Sequence, residues 1–190
     1  MRMKSQFRSF LILTAFILCS LFACGDAADH SPSLSTDRQA VKGDSTVNQQ
    51  LDSLLRDYFS LIHAFAYGIP AEIEEKAQVF GRSLRQLKLD RFAGDSLLYE
   101  AIWVEKENCL AENEAIIADP ELTEKRMSLH LLSWELFNLL RAVHYTKTGL
   151  SLLEKPDVFG EGKPGQWLTA DPSAPGPFPG RETPLVREKW

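Results

Sequence analysis

The stretch from Asp119 to Tyr145 places the strongest constraint on the fold, because apolar residues recur along two of its sides. It opens with Asp119-Pro120, the pattern of a helix N-cap followed by proline at the first helical position. Neither glycine nor another proline follows until Gly149. Apolar residues at three- and four-residue steps predict a long helix with one side in the core. This first stripe comprises Leu129, Leu132, Leu136, Leu139 or Leu140, and Val143.

A second apolar stripe, formed by Met127, Leu131, Trp134 and Tyr145, lies on nearly the opposite side of the same helix. Because a helix that is apolar on two sides needs cover on both, either the chain's own tail or a partner should contact this second stripe. We expect the C-terminal segment to lie along it, with Trp167 as the anchor. Any part of the stripe that the tail leaves bare would form the surface for a partner.

Three further segments with helical spacing precede this helix. They run over about residues 46–67, from Pro70 to about residue 90, and over residues 96–118, where Asp95 has the position of an N-cap. Short links between consecutive helices favour antiparallel neighbours. The predicted fold is therefore all-α, an antiparallel up-down-up-down four-helix bundle over residues 46–149.

The composition changes after Gly149, since residues 150–190 contain seven of the ten prolines. No regular helix tolerates that density of proline. Large apolar side chains in the same segment, such as Phe159, Trp167 and Phe178, argue against a plain disordered tail. We therefore predict an irregular, proline- and glycine-rich C-terminal segment that packs on the bundle.

Two polar residues, Lys106 and Asn113, fall on the apolar side of the third predicted helix. A charge in the core would need a partner and sometimes marks a site. More often a lysine lays its stem on the core and carries its ammonium group to water, which is what we expect of Lys106. The acidic residues of this helix are spread around it and are expected to form a solvated surface; they are Glu105, Glu107, Glu112 and Glu114.

The first residues of the chain have the organisation of a signal peptide. Three basic residues precede an apolar run over residues 10–22 that is too short to span a bilayer comfortably. The run ends in Leu21-Phe22-Ala23-Cys24, which resembles the lipobox of bacterial lipoproteins. That resemblance implies removal of residues 1–23 and attachment of acyl chains such as palmitate to Cys24. An ordinary secretory signal and an uncleaved membrane anchor are the alternatives.

Residues 24–45 are polar and predict a flexible tether between the lipid and the bundle. We expect a protein anchored by lipid in the cell envelope, at the outer membrane, with its bundle in the periplasm or at the surface. Removal of residues 1–23 takes away three basic side chains and no acidic one, which changes the net charge from −5 to −8. Such an acidic chain repels nucleic acid, so no nucleic-acid partner is expected. Cys109 lies on an apolar helix side and predicts a buried, inert thiol.

The chain also carries short motifs in a distinctive order. They are Asp57-Tyr58-Phe59-x-Leu61, Asp119-Pro120-Glu121 with Lys125-Arg126, Leu132-Ser133, Gly165-x-Trp167-Leu168-Thr169 and Pro177-Phe178-Pro179-Gly180. Together they resemble a family of envelope domains of unknown function, found alone on bacterial lipoproteins and appended to copper/silver efflux adaptor subunits. The resemblance covers about residues 51–181 and implies an envelope protein linked to metal efflux or metal stress.

Members of that family carry a Cys-Pro-Met-Ala motif after the fourth helix and a final Met/Cys-Gly pair, which would supply soft ligands for a thiophilic metal. The present chain has neither cysteine nor methionine after Tyr145. The resemblance therefore implies the family's scaffold here, without these metal ligands.

Three histidines are the remaining candidates for metal binding. The residues three positions before His63, His130 and His144 are not glutamates, so the sequence lacks the Glu-x-x-His motif of di-metal bundles. His130 and His144 share one flank of the last helix, but 14 residues at about 1.5 Å per residue place them about 21 Å apart. His63 could approach one of them across the bundle.

These patterns favour a non-enzymatic envelope lipoprotein that acts as a scaffold for another envelope protein. The alternative is a copper- or zinc-buffering domain that uses histidine and carboxylate ligands. The sequence shows no set of nucleophile, base and orienting residue and no cofactor-binding motif, so we expect neither an enzyme nor a bound cofactor. The identity of the partner and the oligomeric state stay open.

Overall fold

Four α-helices follow one another along the chain, as the hydrophobic spacing predicts. The computed structural model describes residues 45–147, 149–180 and 183–189. Within these residues the helices are α1 (Ser45–Tyr67), α2 (Pro70–Gln86), α3 (Ser96–Ala118) and α4 (Leu122–Ala142), and a 3-10 turn (Asp90–Phe92) lies between α2 and α3. The predicted signal peptide, Cys24 and nearly all of the tether lie outside the described residues. No helix within the described residues is both long and apolar enough to cross a membrane.

The start of α3 agrees with the prediction, whereas α4 starts later than predicted. The Asp95 carboxylate accepts a hydrogen bond from the Leu98 amide at 3.1 Å, as an N-cap does. Asp119, which we expected to cap α4, is instead the C-cap of α3, and its carboxylate accepts from the Glu121 amide at 2.8 Å. Glu121 is the residue before α4. Asp119 still belongs to the end of α3, because its backbone N–H donates to the carbonyl oxygen of Ala115 at 3.0 Å.

Consecutive helices run in opposite directions, and their inward side chains share one hydrophobic core with the C-terminal segment. Two side-chain contacts join each pair of neighbouring helices. The contact that comes later on the first helix comes earlier on the second, as it does between antiparallel helices. The pairs are Gln50–Lys88 and Asp57–Ser83 between α1 and α2, Gly81–Asn113 and Leu87–Lys106 between α2 and α3, Asn108–Glu135 and Glu112–Ser128 between α3 and α4, and Asp52–Tyr145 and Tyr58–Ser133 between α1 and the α4 region.

The C-terminal segment forms a small antiparallel sheet rather than an irregular tail, so the all-α prediction is only partly right. The strands are β1 (Ser151–Lys155), β2 (Gly165–Thr169) and β3 (Leu185–Lys189), in the spatial order β2-β1-β3. The seven prolines of this segment all lie outside the strands. They exclude a helix, but they leave three five-residue windows in which backbone groups can pair.

β2 lies against α4 and α1, whereas every residue of β3 is exposed. β1 pairs with both, and Leu152 faces Leu168 across the β1–β2 pair. A row of polar side chains crosses the three strands: Glu154 accepts from the Gln166 amide group at 2.8 Å and forms an ion pair with Arg187. The hydrogen bond from Arg187 holds the pKa of Glu154 below its usual value, against the effect of burial.

Two buried lysines donate hydrogen bonds to backbone carbonyl groups at the C-terminal ends of helices. Lys106 donates to the carbonyl oxygens of Arg85 and Leu87 at 3.3 and 3.2 Å, at the end of α2. Lys125 donates to the carbonyl oxygen of Ile116 at 2.7 Å, in the last turn of α3. A cation in this place satisfies carbonyls that have no partner within the helix and interacts favourably with its negative end. The expectation that Lys106 carries its ammonium group to water is therefore wrong.

Asn113, the second polar residue on the apolar side of α3, is fully buried. Among the described residues, neither its carboxamide oxygen nor its nitrogen has a hydrogen-bond partner. It faces Gly81 of α2 so closely that a Cβ atom added to the glycine would lie 2.6 Å from the Asn113 Nδ2. The absence of a side chain at Gly81 therefore lets α2 and α3 approach each other at a polar point in the core.

Candidate interaction surface

The sheet covers one side of α4, and this side is not the second apolar stripe. The Arg126 Nε donates to the carbonyl oxygen of Pro177 at 3.1 Å, and the His130 Nδ1 accepts from the Gln166 amide at 3.1 Å. One turn further along, Ser133 meets the hydroxyl of Tyr58, which itself accepts from β2. These contacts follow three- and four-residue steps and define the covered side of α4.

Trp167, the expected anchor of the C-terminal segment, is buried to 2% exposure in β2. Its ring packs edge-on against Phe178, with the ring centres 5.7 Å apart. Gly176 approaches it closely, since a Cβ atom there would lie 2.7 Å from the Trp167 Cζ2. These contacts lie within the C-terminal segment, so Trp167 holds the loop after β2 against the sheet.

The second stripe of α4 divides into a buried end and a bare part. Tyr145 is buried and its hydroxyl donates to the Asp52 carboxylate of α1 at 2.8 Å. Met127 is half-buried. Leu131 and Trp134 keep 40% and 41% of their surface exposed, although the Trp134 ring stacks on Phe137, with centres 5.5 Å apart. The sheet therefore leaves the middle of the stripe open.

An exposed contact marks where α3 and α4 meet: the Asn108 side chain contacts the Glu135 carboxylate at 3.5 Å. Val104, one turn before Asn108 on α3, is 49% exposed. Because the two helices are antiparallel, Val104 and Leu131, which is one turn before Glu135 on α4, lie on opposite sides of this contact. We therefore define the exposed α4 patch by Leu131 and Trp134 alone.

Three half-buried carboxyl groups line the junction of α3 and α4: Glu105, Glu112 and Glu135. Burial, together with hydrogen bonding and repulsion from the adjoining Glu135, raises the pKa of Glu105 to about 7. Burial also raises the pKa of Glu112, against a hydrogen bond with Ser128. None of the ion pairs in the described residues involves these three groups. The junction thus favours the protonated form of Glu105.

The expectation of a uniformly solvated acidic surface on α3 holds for only part of the helix. Glu107 and Glu114 are exposed, whereas Glu105 and Glu112 turn towards α4. Among the described residues, the Glu105 Oε2 is buried and has no hydrogen-bond donor. Cys109 lies on the same flank of α3 and is the buried thiol that its position predicts, and burial raises its pKa well above the usual value. A thiol in that state is a poor nucleophile.

The three histidines lie in different surroundings. His63 is exposed on α1 and its ring lies against Tyr67, with centres 4.7 Å apart. His144 is exposed beyond the end of α4, where its positive φ of 53° reverses the chain in the manner of a helix C-terminus. Nowhere in the described ranges do three or more His, Cys, Asp or Glu side chains group in a way that could hold a metal ion.

His130 has a role that its spacing on the helix does not reveal. Its Nδ1 is occupied as the acceptor for the Gln166 amide, and its ring packs against Phe159, with centres 5.8 Å apart. Burial lowers the pKa of His130, while the nearby Glu154 carboxylate opposes that shift. The geometry therefore uses His130 as a neutral acceptor at the edge of the sheet.

Comparison with known proteins identifies no relative: no protein-family model, no curated protein and no solved structure matches this chain. Function must therefore be inferred from the residues of this chain. Sequence patterns single out Leu131 and Trp134, but they do not show that Glu105 and Glu112 meet α4, because periodicity separates the sides of α3 without showing which helix each side meets. The run of glutamates along α3 is the one signal that could have pointed to the acidic junction.

Proposed function

We propose that this chain is a non-enzymatic lipoprotein of the bacterial cell envelope whose helical domain binds another protein through the exposed α4 patch. One observation carries the proposal: Leu131 and Trp134 stay exposed on α4, while the sheet covers another side of the same helix. Clustered exposed apolar residues on a folded domain are typical of interaction sites, because leaving them in water costs free energy that a partner can recover.

The location of this domain is part of the same proposal. Cys24 would carry the lipid and residues 24–45 would give the domain its reach from the membrane. The order of motifs, which resembles the envelope domains appended to copper/silver efflux adaptors, favours a partner concerned with metal efflux or metal stress. The scattered positions of His63, His130 and His144 do not favour the metal-buffering alternative.

Site-specific photo-crosslinking in living cells tests the proposal. A photoreactive amino acid replaces Trp134 in the full-length chain, and the matched control replaces Trp103, which is similarly exposed at 44% but lines a groove towards α2 with Lys106 and Leu89. We expect a specific crosslinked protein from position 134 and none from position 103. The absence of any specific product at position 134, or of any difference between the two positions, would overturn the proposal.

A further inference from the structure

The chain enters the helical bundle at one end, which we call the tether end. There α1 begins at Ser45, and the Gln50 side chain, just over one turn further on, accepts a hydrogen bond of 3.2 Å from the Lys88 amide just after α2. Because consecutive helices are antiparallel, α3 also begins at the tether end. Lys106 of α3 donates to the carbonyl oxygen of Leu87, so Lys106 lies level with the end of α2.

The first turns of α3 extend beyond the end of α2. Nine residues separate Leu97 from Lys106, so at about 1.5 Å per residue Leu97 lies about 14 Å further towards the tether end. Leu97 is 79% exposed and is the most exposed large apolar side chain in the described part of the chain. Since the side chains of a helix lean towards its N-terminus, Leu97 leans away from the rest of the bundle.

Two more apolar side chains of α3 are exposed behind Leu97. Val104 follows it by seven residues, or two turns, and lies on the same side of the helix. The exposed ring of Trp103 stacks on Tyr99, with the ring centres 6.3 Å apart. Tryptophan and tyrosine rings favour the boundary between lipid and water, because their apolar bodies leave water while their polar groups stay wet.

The opposite end of the bundle, which we call the far end, is the more acidic of the two. Six carboxyl groups lie in the first turns of α2 or around the start of α4: Glu72, Glu74, Glu75, Asp119, Glu121 and Glu124. Three basic side chains accompany them: Lys76, Lys125 and Arg126. At the tether end, residues 87–100 carry two basic and three acidic side chains: Lys88, Arg91, Asp90, Asp95 and Glu100. Anionic lipid headgroups would therefore repel the far end more strongly than the tether end.

We propose that the tether end contacts the surface of the membrane, with Leu97 inserted at the boundary of headgroups and acyl chains. Trp103, six residues or about 9 Å behind Leu97 along α3, would lie among the headgroups. The inference rests on the lipid anchor of the proposed function and adds the orientation of the domain.

The position of the tether favours a lipid surface as the occupant of this end. A polar chain of the length of residues 24–45 spans about 25 Å on average, and the proposed tether joins the bundle at Ser45. An anchor at Cys24 would thus hold the start of α3 close to the bilayer at a high effective concentration. Under that condition, insertion of a few apolar side chains is sufficient for contact, although it would not bind a free domain tightly.

This orientation keeps the exposed α4 patch clear of the lipid. Glu135, the neighbour of Trp134, contacts Asn108, and eleven residues separate Asn108 from Leu97. The patch therefore lies about 17 Å from the level of Leu97 along the bundle. A partner protein can reach the patch while the tether end contacts the membrane.

A fluorescent amino acid that responds to its surroundings tests the inference. It replaces Leu97 in the full chain, which is purified with its acyl chains and reconstituted in vesicles of phosphatidylethanolamine and phosphatidylglycerol. The matched control carries the same probe in place of Tyr67, which is 64% exposed at the far end. Lipids that carry a nitroxide group should quench most of the emission at position 97 and leave that at position 67 unchanged. Equal quenching at the two positions, or none at position 97, would overturn the inference.

Charged variants then locate the contact. With the probe at position 97, Trp103→Glu should abolish most of the quenching, because a carboxylate resists transfer into the lipid boundary. Tyr67→Glu, at an exposed ring of the far end, should leave the quenching unchanged. Val104→Glu, with Ile69→Glu as its control, is the second pair of variants if Trp103→Glu fails to fold. An equal loss with the far-end variants would contradict the assignment of this surface.

The anchor, the patch and the membrane contact fail in distinguishable ways. A mass spectrum of the mature chain without acyl chains on Cys24 would overturn the anchor and the orientation together. The absence of a specific protein crosslinked at position 134 would overturn the partner-binding role alone. An unquenched probe at position 97 in an acylated chain would overturn the orientation and leave the proposed function standing.

Discussion

The amide of Leu168 in β2 donates a hydrogen bond of 3.1 Å to the phenolic oxygen of Tyr58 in α1. The Tyr58 hydroxyl also lies 2.7 Å from the Ser133 oxygen, and Ser133 donates to the Leu129 carbonyl at 2.6 Å. Because the Ser133 proton is used on that carbonyl, the Tyr58 hydroxyl donates to Ser133. One chain of hydrogen bonds thus links β2, α1 and α4.

The hydrogen bonds of Tyr58 and His130 cover the outer edge of the sheet at β2. Gln166 and Leu168 point their amides away from β1, and these amides meet the His130 nitrogen and the Tyr58 oxygen. An unpaired strand edge otherwise offers itself to other chains, so side-chain acceptors from two helices protect the sheet as well as fixing its position.

Removal of the Tyr58 hydroxyl should destabilise the domain. Tyr58→Phe leaves the buried Leu168 amide without an acceptor, which we expect to lower the free energy of unfolding by about 1–3 kcal/mol. Urea denaturation followed by circular dichroism measures the effect. Tyr67→Phe, at an exposed tyrosine of the same helix, is the control and should unfold as the unchanged chain does. Equal midpoints for all three proteins would show that β2 does not need this acceptor.

Acidification should weaken the attachment of β2 through His130. Burial lowers the pKa of His130 below its ordinary value of 6.5, so the fold favours the neutral ring. The stability from this effect is present above pH 6.5 and is lost as the pH falls below it, because the unfolded chain takes up the proton first. Urea denaturation of the unchanged chain and of His130→Gln at pH 7.5 and 5 measures the effect. Between pH 7.5 and pH 5 the free energy of unfolding of the unchanged chain should fall relative to that of the variant. A rise relative to the variant would contradict the neutral role of His130.

Glu105 should have the opposite pH dependence. Its pKa is raised from about 4.5 to about 7, so the fold favours the protonated acid, and that stability is lost as the pH rises through about 7. Glu105→Gln imitates the protonated form at every pH. We expect it to match the unchanged chain at pH 5 and to be the more stable of the two at pH 8, as measured by thermal unfolding. Glu107→Gln serves as the exposed control, and a similar gain from it would remove the support for a specific pairing with Glu135.

A double-mutant cycle should reveal the contact between Gly81 and Asn113. Gly81→Ala gains about 1 kcal/mol of helix propensity, but its Cβ atom would lie 2.6 Å from the buried Asn113 Nδ2. We expect a net loss of about 1–3 kcal/mol from overpacking. When Asn113→Ala is present as well, the same substitution should be neutral or stabilising. Urea denaturation of the four proteins tests this, and an equal cost in both backgrounds would exclude the steric explanation.

The helices were largely predictable because their signals are local. The Asp95 cap and the apolar spacing of α1 to α3 depend on residues within a few positions of each other, and these elements begin where predicted, although α2 ends at Gln86 rather than near residue 90. The later start of α4, at Leu122, also has a local cause, since the Asp119 amide completes the last turn of α3 by bonding to the Ala115 carbonyl.

The sheet was harder to predict because its partners are distant in sequence. Five-residue windows between prolines have no stability of their own, and β2 depends on acceptors supplied by His130 and Tyr58, 36 and 110 residues away. The buried ammonium group of Lys106 is a similar case, since it becomes favourable only when the carbonyls at the end of α2 are brought to it.

The amino-acid sequence by itself determined which segments become helices and that α4 carries apolar residues on two sides, because these properties follow from spacing along one chain segment. Only the tertiary structure decided which of those sides the sheet covers, and so left Leu131 and Trp134 exposed. The physical reason is that burial and charge pairing are set by groups that meet across elements. A local pattern specifies a side of a helix, but it does not specify what that side will meet.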